Sequence, residues 1–84
     1  MRTSLRDLRA GERGTVTGYA GDSQRFRARL LAMGLTPGCE VTVLRVAPLG
    51  DPMEVRVRGY LLSVRKAEAA TISIEKSSME RVAP

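Results

Sequence analysis

The sequence predicts an all-β, mainly strand-built fold: a small five-stranded antiparallel barrel with one inserted α-helix. Its length of 84 residues leaves room for a single domain. Five short segments carry strand patterns, and only one longer segment has helical periodicity, so the repeated strand–helix units of a parallel sheet are missing. Five strands with inward Val, Leu and Ile side chains close into a barrel more readily than they form an open sheet, because closure removes the edges.

The predicted strands are separated by segments rich in turn-forming residues. They cover residues 13–19, 39–46, 53–57, 60–64 and 71–75. Gly14 and Gly18 indicate bends or bulges in the first strand. In the second strand the apolar alternation changes phase at Leu44, which predicts either a bulge or a strand buried on both sides at a barrel corner.

The third and fourth strands are predicted to form a hairpin. A two-residue turn at Arg58 and Gly59 joins them. Alternation predicts that one set of side chains points inward, namely Met53, Val55, Val57, Tyr60, Leu62 and Val64. The same pattern places Leu61 on the outside, together with Arg56 and Arg58.

Residues 23–33 are predicted to form the helix, with Asp22 as its N-cap. Its apolar positions repeat at i, i+4 and i+7: Phe26, Leu30 and Met33. Gly34 followed by Leu35 predicts a Schellman motif that folds Leu35 back onto Leu30. Short helical turns are expected at 4–9 and 65–69, and the domain is expected to cover 1–76 with a flexible tail at 77–84.

Composition argues against catalysis and against a built metal site. The chain has no histidine and one cysteine, so the usual general base, a Cys/His nucleophile and a structural zinc site are missing. We expect Cys39 to be a structural, partly buried thiol in a reducing compartment. Carboxylates such as Asp22, Glu40 and Asp51 would bind a divalent ion only adventitiously, so no cofactor is expected. No apolar stretch suggests a signal peptide or a membrane helix.

The net charge of +5 allows nucleic-acid binding as an alternative function. Against it, the arginines are spread along the chain among nine acidic residues, and aromatic residues make up only 4%. A protein-binding surface fits better. Leu61 faces outward on its strand, and Leu31 lies off the main apolar stripe of the helix, so the two could extend an apolar patch.

Several segments together closely resemble the FeoA family of bacterial ferrous iron transport proteins. They are RARLLAMGLTPG at 27–38, VTV at 41–43, APLGDP at 47–52, VRVRGY at 55–60 and LSVRKAEA at 62–69. The resemblance implies an SH3-like five-stranded barrel with an inserted helix. It implies a non-enzymatic, cytoplasmic accessory protein of ferrous iron uptake that meets the inner membrane through its partner, the GTPase-fused permease FeoB. A relationship to iron-dependent repressors leaves a transition-metal-responsive domain as another alternative.

We expect the partner to dock on an aliphatic surface rimmed by arginines. The candidate contacts are Phe26, Leu30, Leu31, Met33, Pro48, Leu49, Asp51, Arg56, Arg58 and Leu61. Aliphatic patches and exposed strand edges also leave a homo-oligomer as an alternative.

Overall fold

A computed structural model describes residues 2–20, 24 and 26–76. The described strands are β1 (Arg2–Ser4), β2 (Arg13–Tyr19), β3 (Glu40–Val46), β4 (Met53–Val57), β5 (Tyr60–Val64) and β6 (Ile72–Lys76). The helices are α1 (Arg27–Ala32) and α2 (Lys66–Ala69), and a 3₁₀ turn covers Leu5–Asp7. All strand pairs are antiparallel, in the order β1-β6-β2-β3-β4-β5. The predicted mainly-β class is confirmed.

Among the described residues the sheet contains one strand more than the five predicted. β1 pairs with β6, placing Thr3 opposite Ile74. Ser4 ends this strand and immediately precedes the 3₁₀ turn. The sequence pattern assigns Ser4 to a helical turn at 4–9 and therefore does not predict β1. Three residues are too few for alternation to be visible in a sequence, and such a strand depends on its neighbour for stability.

The core lies on the inner face of the sheet and beneath α1. Its buried side chains are Leu5, Leu8, Val16, Leu30, Leu35, Cys39, Val41, Val43, Met53, Val55, Val57, Val64, Ala69, Ile72 and Ile74. In β4, buried and exposed residues alternate strictly, as the sequence predicted. The registers shift between Val16 and Gly18 and between Val43 and Arg45, which confirms the bulges predicted at Gly18 and Leu44, whereas the register runs without a shift at Gly14.

The β4–β5 hairpin closes through the predicted two-residue turn. Arg58 and Gly59 have φ values of 54° and 86°, the positive values that a type I′ turn requires at both central positions. Tyr60 lies opposite the buried Val57, which confirms the predicted inward phase, but its side chain is 71% exposed rather than buried. Tyr60 begins β5 directly after the hairpin turn, at the end of the described sheet.

Helix α1 is shorter than predicted, because it begins at Arg27 rather than at residue 23. The expected N-cap, Asp22, lies outside the described residues. The C-terminal end matches the predicted Schellman motif. The N–H of Leu35 donates to the Leu30 carbonyl at 3.0 Å, the N–H of Gly34 donates to the Leu31 carbonyl at 3.0 Å, and Gly34 has a φ of +93°.

The turn predicted at 65–69 is confirmed as α2. The predicted flexible tail at 77–84 lies outside the described residues and remains a prediction. Across the part of the chain that the structure describes, none of the helices has both the length and the apolar character needed to cross a lipid bilayer.

Candidate functional site

The outer face of the sheet brings together residues from four strands. Arg13 of β2 lies opposite Thr42 of β3, Thr42 lies opposite Arg56 of β4, and Arg56 lies opposite Leu61 of β5. Because facing residues in a sheet point to the same side, these four side chains form one row across the outside of the molecule.

One end of this row opens into a cleft of about 460 Å³, here called the arginine cleft. Its lining residues are Arg13, Cys39, Glu40, Thr42, Arg56 and Arg58. The Arg13 Nε lies 3.9 Å from a Glu40 carboxylate oxygen, and an Arg58 guanidinium N–H donates to the Thr36 hydroxyl at 3.2 Å. Within the described residues neither Arg56 nor Arg58 forms an ion pair with a carboxylate. The cleft therefore carries positive charge available to an anionic group.

Cys39 forms part of the cleft wall and is a free, buried thiol. This location agrees with the predicted burial of its side chain. Among the described residues, no group of three or more Cys, Asp or Glu side chains is placed to hold a metal ion.

The other end of the row borders an apolar groove of about 250 Å³, here called the Leu61 groove. It is lined by Leu44, Glu54, Leu61, Leu62 and Ser63. Leu61 is 70% exposed, whereas Leu44 and Leu62 are half-buried. Leu44 lies on the outer side of β3 by the same alternation that places Thr42 there, since Val43 between them is buried.

A third groove continues the surface past Glu54. Its volume is about 330 Å³, and it is lined by Arg45, Val46, Ala47, Pro48, Pro52 and Glu54. The Arg45 Nε lies 3.5 Å from a Glu54 carboxylate oxygen, and Glu54 lines both this groove and the Leu61 groove. The arginine cleft and these two grooves together are called the outer surface below.

Four of the predicted contacts lie on the outer surface: Pro48, Arg56, Arg58 and Leu61. Leu49 follows Pro48 and is exposed. Asp51 instead attaches its loop to α2, because its carboxylate accepts a 3.0 Å hydrogen bond from the Lys66 N–H and lies 3.6 Å from Arg65.

The predicted contacts on α1 form a separate surface. Leu31 is 43% exposed, but Phe26 and Met33 pack partly against the core. Leu30 as a partner contact is wrong, since its side chain is completely buried. The helix is fastened to α2 by the ion pair between Arg29 and the buried Glu68, at 2.8 Å.

The sequence did not identify several residues of the outer surface, including Arg13, Thr42, Leu44 and Ser63. The sequence showed the phase change in β3 at Leu44. It did not show that Leu44 lines a groove together with residues of β4 and β5. The cross-strand partners of Arg13 and Thr42 depend on register, which the single sequence does not provide.

A protein-family model, the FeoA domain, matches residues 3–76. The chain is 37% identical over 71 residues to the Fe(2+) transport protein A/Fe(2+) transporter FeoB fusion protein of Porphyromonas gingivalis. That match covers 84% of the chain and only 8% of the length of the fusion protein.

Solved structures agree with this match. The NMR structure of a FeoA-like protein from Clostridium acetobutylicum is 35% identical, with a TM-score of 0.81, covering 89% of this chain and 86% of that one. FeoA of Stenotrophomonas maltophilia, described as a procaryotic SH3 domain protein and crystallised with zinc, is 22% identical with a TM-score of 0.74, covering 87% and 89%. The second likeness confirms the SH3-like fold, and the chain belongs to the FeoA domain family.

Proposed function

We propose that this chain is a non-enzymatic accessory module of ferrous iron transport that binds a FeoB-type permease from the cytoplasmic side. The observation that carries the proposal is the relative in which an Fe(2+) transport protein A segment and an Fe(2+) transporter FeoB segment form one polypeptide. Two segments joined in one chain operate side by side, so a separate copy of the first needs a surface that binds the second.

The outer surface has the properties that such binding requires. Leu61 places a largely exposed aliphatic side chain beside the half-buried Leu44. Arg56 and Arg58 stand next to it without an ion-pair partner among the described residues. Apolar contacts at the centre of an interface supply most of the affinity, while charges at the rim guide the encounter and set its orientation.

The α1 surface has fewer features suited to partner binding than the outer surface. Leu31 is the exposed aliphatic side chain of this helix, and Arg29 beside it is already bound to Glu68. We therefore propose the outer surface, rather than α1, as the contact with the permease.

The test compares two substitutions of the same type. Leu61→Asp should weaken binding to the purified permease at least 30-fold, because loss of a central apolar contact costs about 2 kcal/mol or more. Leu31→Asp is the matched control and should bind within about threefold of the original chain. Both side chains are exposed, so thermal unfolding should show that both variants remain folded.

Iron uptake by cells that lack the native copy of this chain gives the second measurement. The Leu31→Asp chain should restore uptake, and the Leu61→Asp chain should not. A folded Leu61→Asp chain that binds the permease and supports uptake as well as the original would refute the outer surface as the contact. Absence of any binding by the original chain would refute the proposed partner.

A further inference from the structure

The outer edge of β5 is an open hydrogen-bonding edge. β5 ends the described sheet, since β4 is its neighbour on one side and no described strand pairs with the other side. Natural edge strands are usually protected by charged residues, prolines or bulges. β5 has the sequence YLLSV, which contains neither a charge nor a proline, and its register with β4 runs without a shift.

The hairpin geometry shows which backbone groups point away from β4. In a hairpin with a two-residue turn, the residues flanking the turn form a hydrogen-bonded pair, here Val57 and Tyr60. Hydrogen-bonded pairs alternate with non-hydrogen-bonded pairs, so Leu62 and Val64 also bond to β4. The N–H and C=O groups of Leu61 and Ser63 therefore point outward.

These outward groups have no partner in the described part of the chain, where no backbone hydrogen bond reaches Leu61 or Ser63 from another segment. Both residues are exposed, and Tyr60 beside them is exposed on the opposite face of the strand. The edge thus offers two donors and two acceptors, with an apolar side chain on each face. This is the arrangement by which sheets accept an additional strand from a partner.

The arginines around β5 indicate which kind of partner strand would fit its edge. Arg58 precedes β5 and Arg56 lies beside Leu61 on the outer face, and neither has a carboxylate partner among the described residues. Arg65 follows β5 and lies 3.6 Å from Asp51. The chain as a whole carries a net charge of +5. A segment with carboxylates near its ends would meet these arginines, and apolar residues between them would meet Leu61 and Tyr60.

A second copy of this chain fits poorly. The antiparallel self-pairing that uses both outward residues places Leu61 opposite Ser63 of the second copy. The same register brings the Arg58 end of β5 close to the Arg65 end of the second copy, so the cations that flank the two strands repel each other.

We propose that the edge of β5 accepts an extended, acidic-flanked segment of the partner as an additional β-strand. This inference rests on the proposed function, because it describes how the permease engages the Leu61 side of the outer surface. Backbone hydrogen bonds to Leu61 and Ser63 supply affinity, while the flanking arginines select acidic segments.

Proline at position 63 tests the backbone contribution directly. Because the Ser63 N–H points away from β4, Ser63→Pro removes an outward donor and leaves the β4–β5 hydrogen bonds in place. Binding to the purified permease should fall about tenfold or more, since a backbone hydrogen bond is lost and the ring obstructs the added strand. Ser63→Thr keeps the N–H and is the matched control, with binding expected within about twofold.

Amide hydrogen exchange supplies a readout that does not depend on a variant. In the free chain the amides of Leu61 and Ser63 should exchange rapidly, while those of Tyr60, Leu62 and Val64 should be protected. Addition of the permease should protect Leu61 and Ser63. Overlapping peptides spanning the permease should identify a bound segment with acidic residues flanking apolar ones.

The outcomes separate the two proposals. If the original chain binds the permease but Ser63→Pro binds equally well, or if both amides continue to exchange rapidly, strand addition is refuted while the proposed function stands. Protection of these amides in a self-associated chain without permease would identify a second copy as the occupant and overturn the inference. If the permease does not bind at all, both proposals fail.

Discussion

The two edge strands of the sheet, β1 and β5, are protected to very different degrees. β1 is three residues long and passes directly into the 3₁₀ turn at Leu5–Asp7. The Asp7 carboxylate accepts hydrogen bonds from the hydroxyl groups of Thr3 and Ser4, at 2.9 and 3.1 Å, which holds the end of β1 against this turn. β5 has five residues, no charge and two large exposed side chains, Tyr60 and Leu61.

This difference indicates that stability and partner binding depend on different regions of this small domain. At the β1 end, the 3₁₀ turn packs on β6 and α2, and its buried Leu5 joins the core. At the β5 end, Val64 is buried but the residues nearest the turn face solvent. We expect the β1–β6–β2 region to contribute stability and the exposed part of β5 to contribute binding.

Removal of an aliphatic side chain at each end should give the largest contrast in stability. Ile72→Ala empties a fully buried position on β6 and should lower the free energy of unfolding by about 2–5 kcal/mol. Leu61→Ala on β5 removes an exposed side chain and should change it by less than about 0.5 kcal/mol. Urea denaturation measures the free energy of unfolding of both variants. Equal losses of stability at the two positions would contradict the assignment of stability to the β1–β6–β2 region.

A smaller loss is expected from crowding between β2 and β6. An added Cβ at Gly14 would collide with the Ile74 Cγ2 atom and lie 2.8 Å from the Glu75 carbonyl oxygen. Gly14→Ala should therefore destabilise the fold by about 1–3 kcal/mol. Gly18 lies on the same strand with nothing within 4 Å of such a Cβ, so Gly18→Ala is the matched control. If Gly18→Ala loses as much stability as Gly14→Ala, crowding against β6 is not the cause of the loss.

The smallest effect concerns pH and the contact that closes the β1 end. Hydrogen bonds donated by the Thr3 side chain, then by the Ser4 backbone, hold the pKa of the Asp7 carboxyl below its ordinary value. A lowered pKa in the folded state stabilises the fold above the ordinary carboxyl pKa of about 4, and this contribution disappears as pH falls through the folded-state pKa.

Asp7→Asn should consequently flatten the acid side of the stability profile. The original chain should lose stability more steeply than the variant as pH is lowered below about 4, with little difference in slope near neutrality. Urea denaturation of both proteins over the same pH series gives the two slopes. An identical acid slope would show that Asp7 does not contribute to closing this edge.

Features that depend on neighbouring residues in the chain were predictable from the sequence. The Schellman motif follows from Gly34 and the hairpin turn from Gly59, because both positions require a positive φ that glycine adopts without strain. Alternation in β4 likewise identified its buried side, because side-chain direction has a period of two in every strand.

Features that depend on residues far apart in the chain could not be predicted from the sequence. Tyr60 fits the inward phase of β5, but its side chain is exposed rather than buried at the end of the described sheet. Leu30 and Leu31 are equally apolar and adjacent, and packing against the core separates a buried residue from an exposed one. The row from Arg13 to Leu61 requires three strand registers at once, so the candidate site emerged only from the assembled sheet.

The leucine methyl NMR spectrum of this chain, recorded with and without the purified FeoB-type permease, tests the central claim most directly. Leu44 and Leu61 report on the outer surface, whereas Leu31 reports on α1. Binding through the outer surface predicts that the Leu44 and Leu61 methyl signals shift or broaden first, while the Leu31 signals change least. The account would be contradicted if the Leu31 signals responded and those of Leu44 and Leu61 did not.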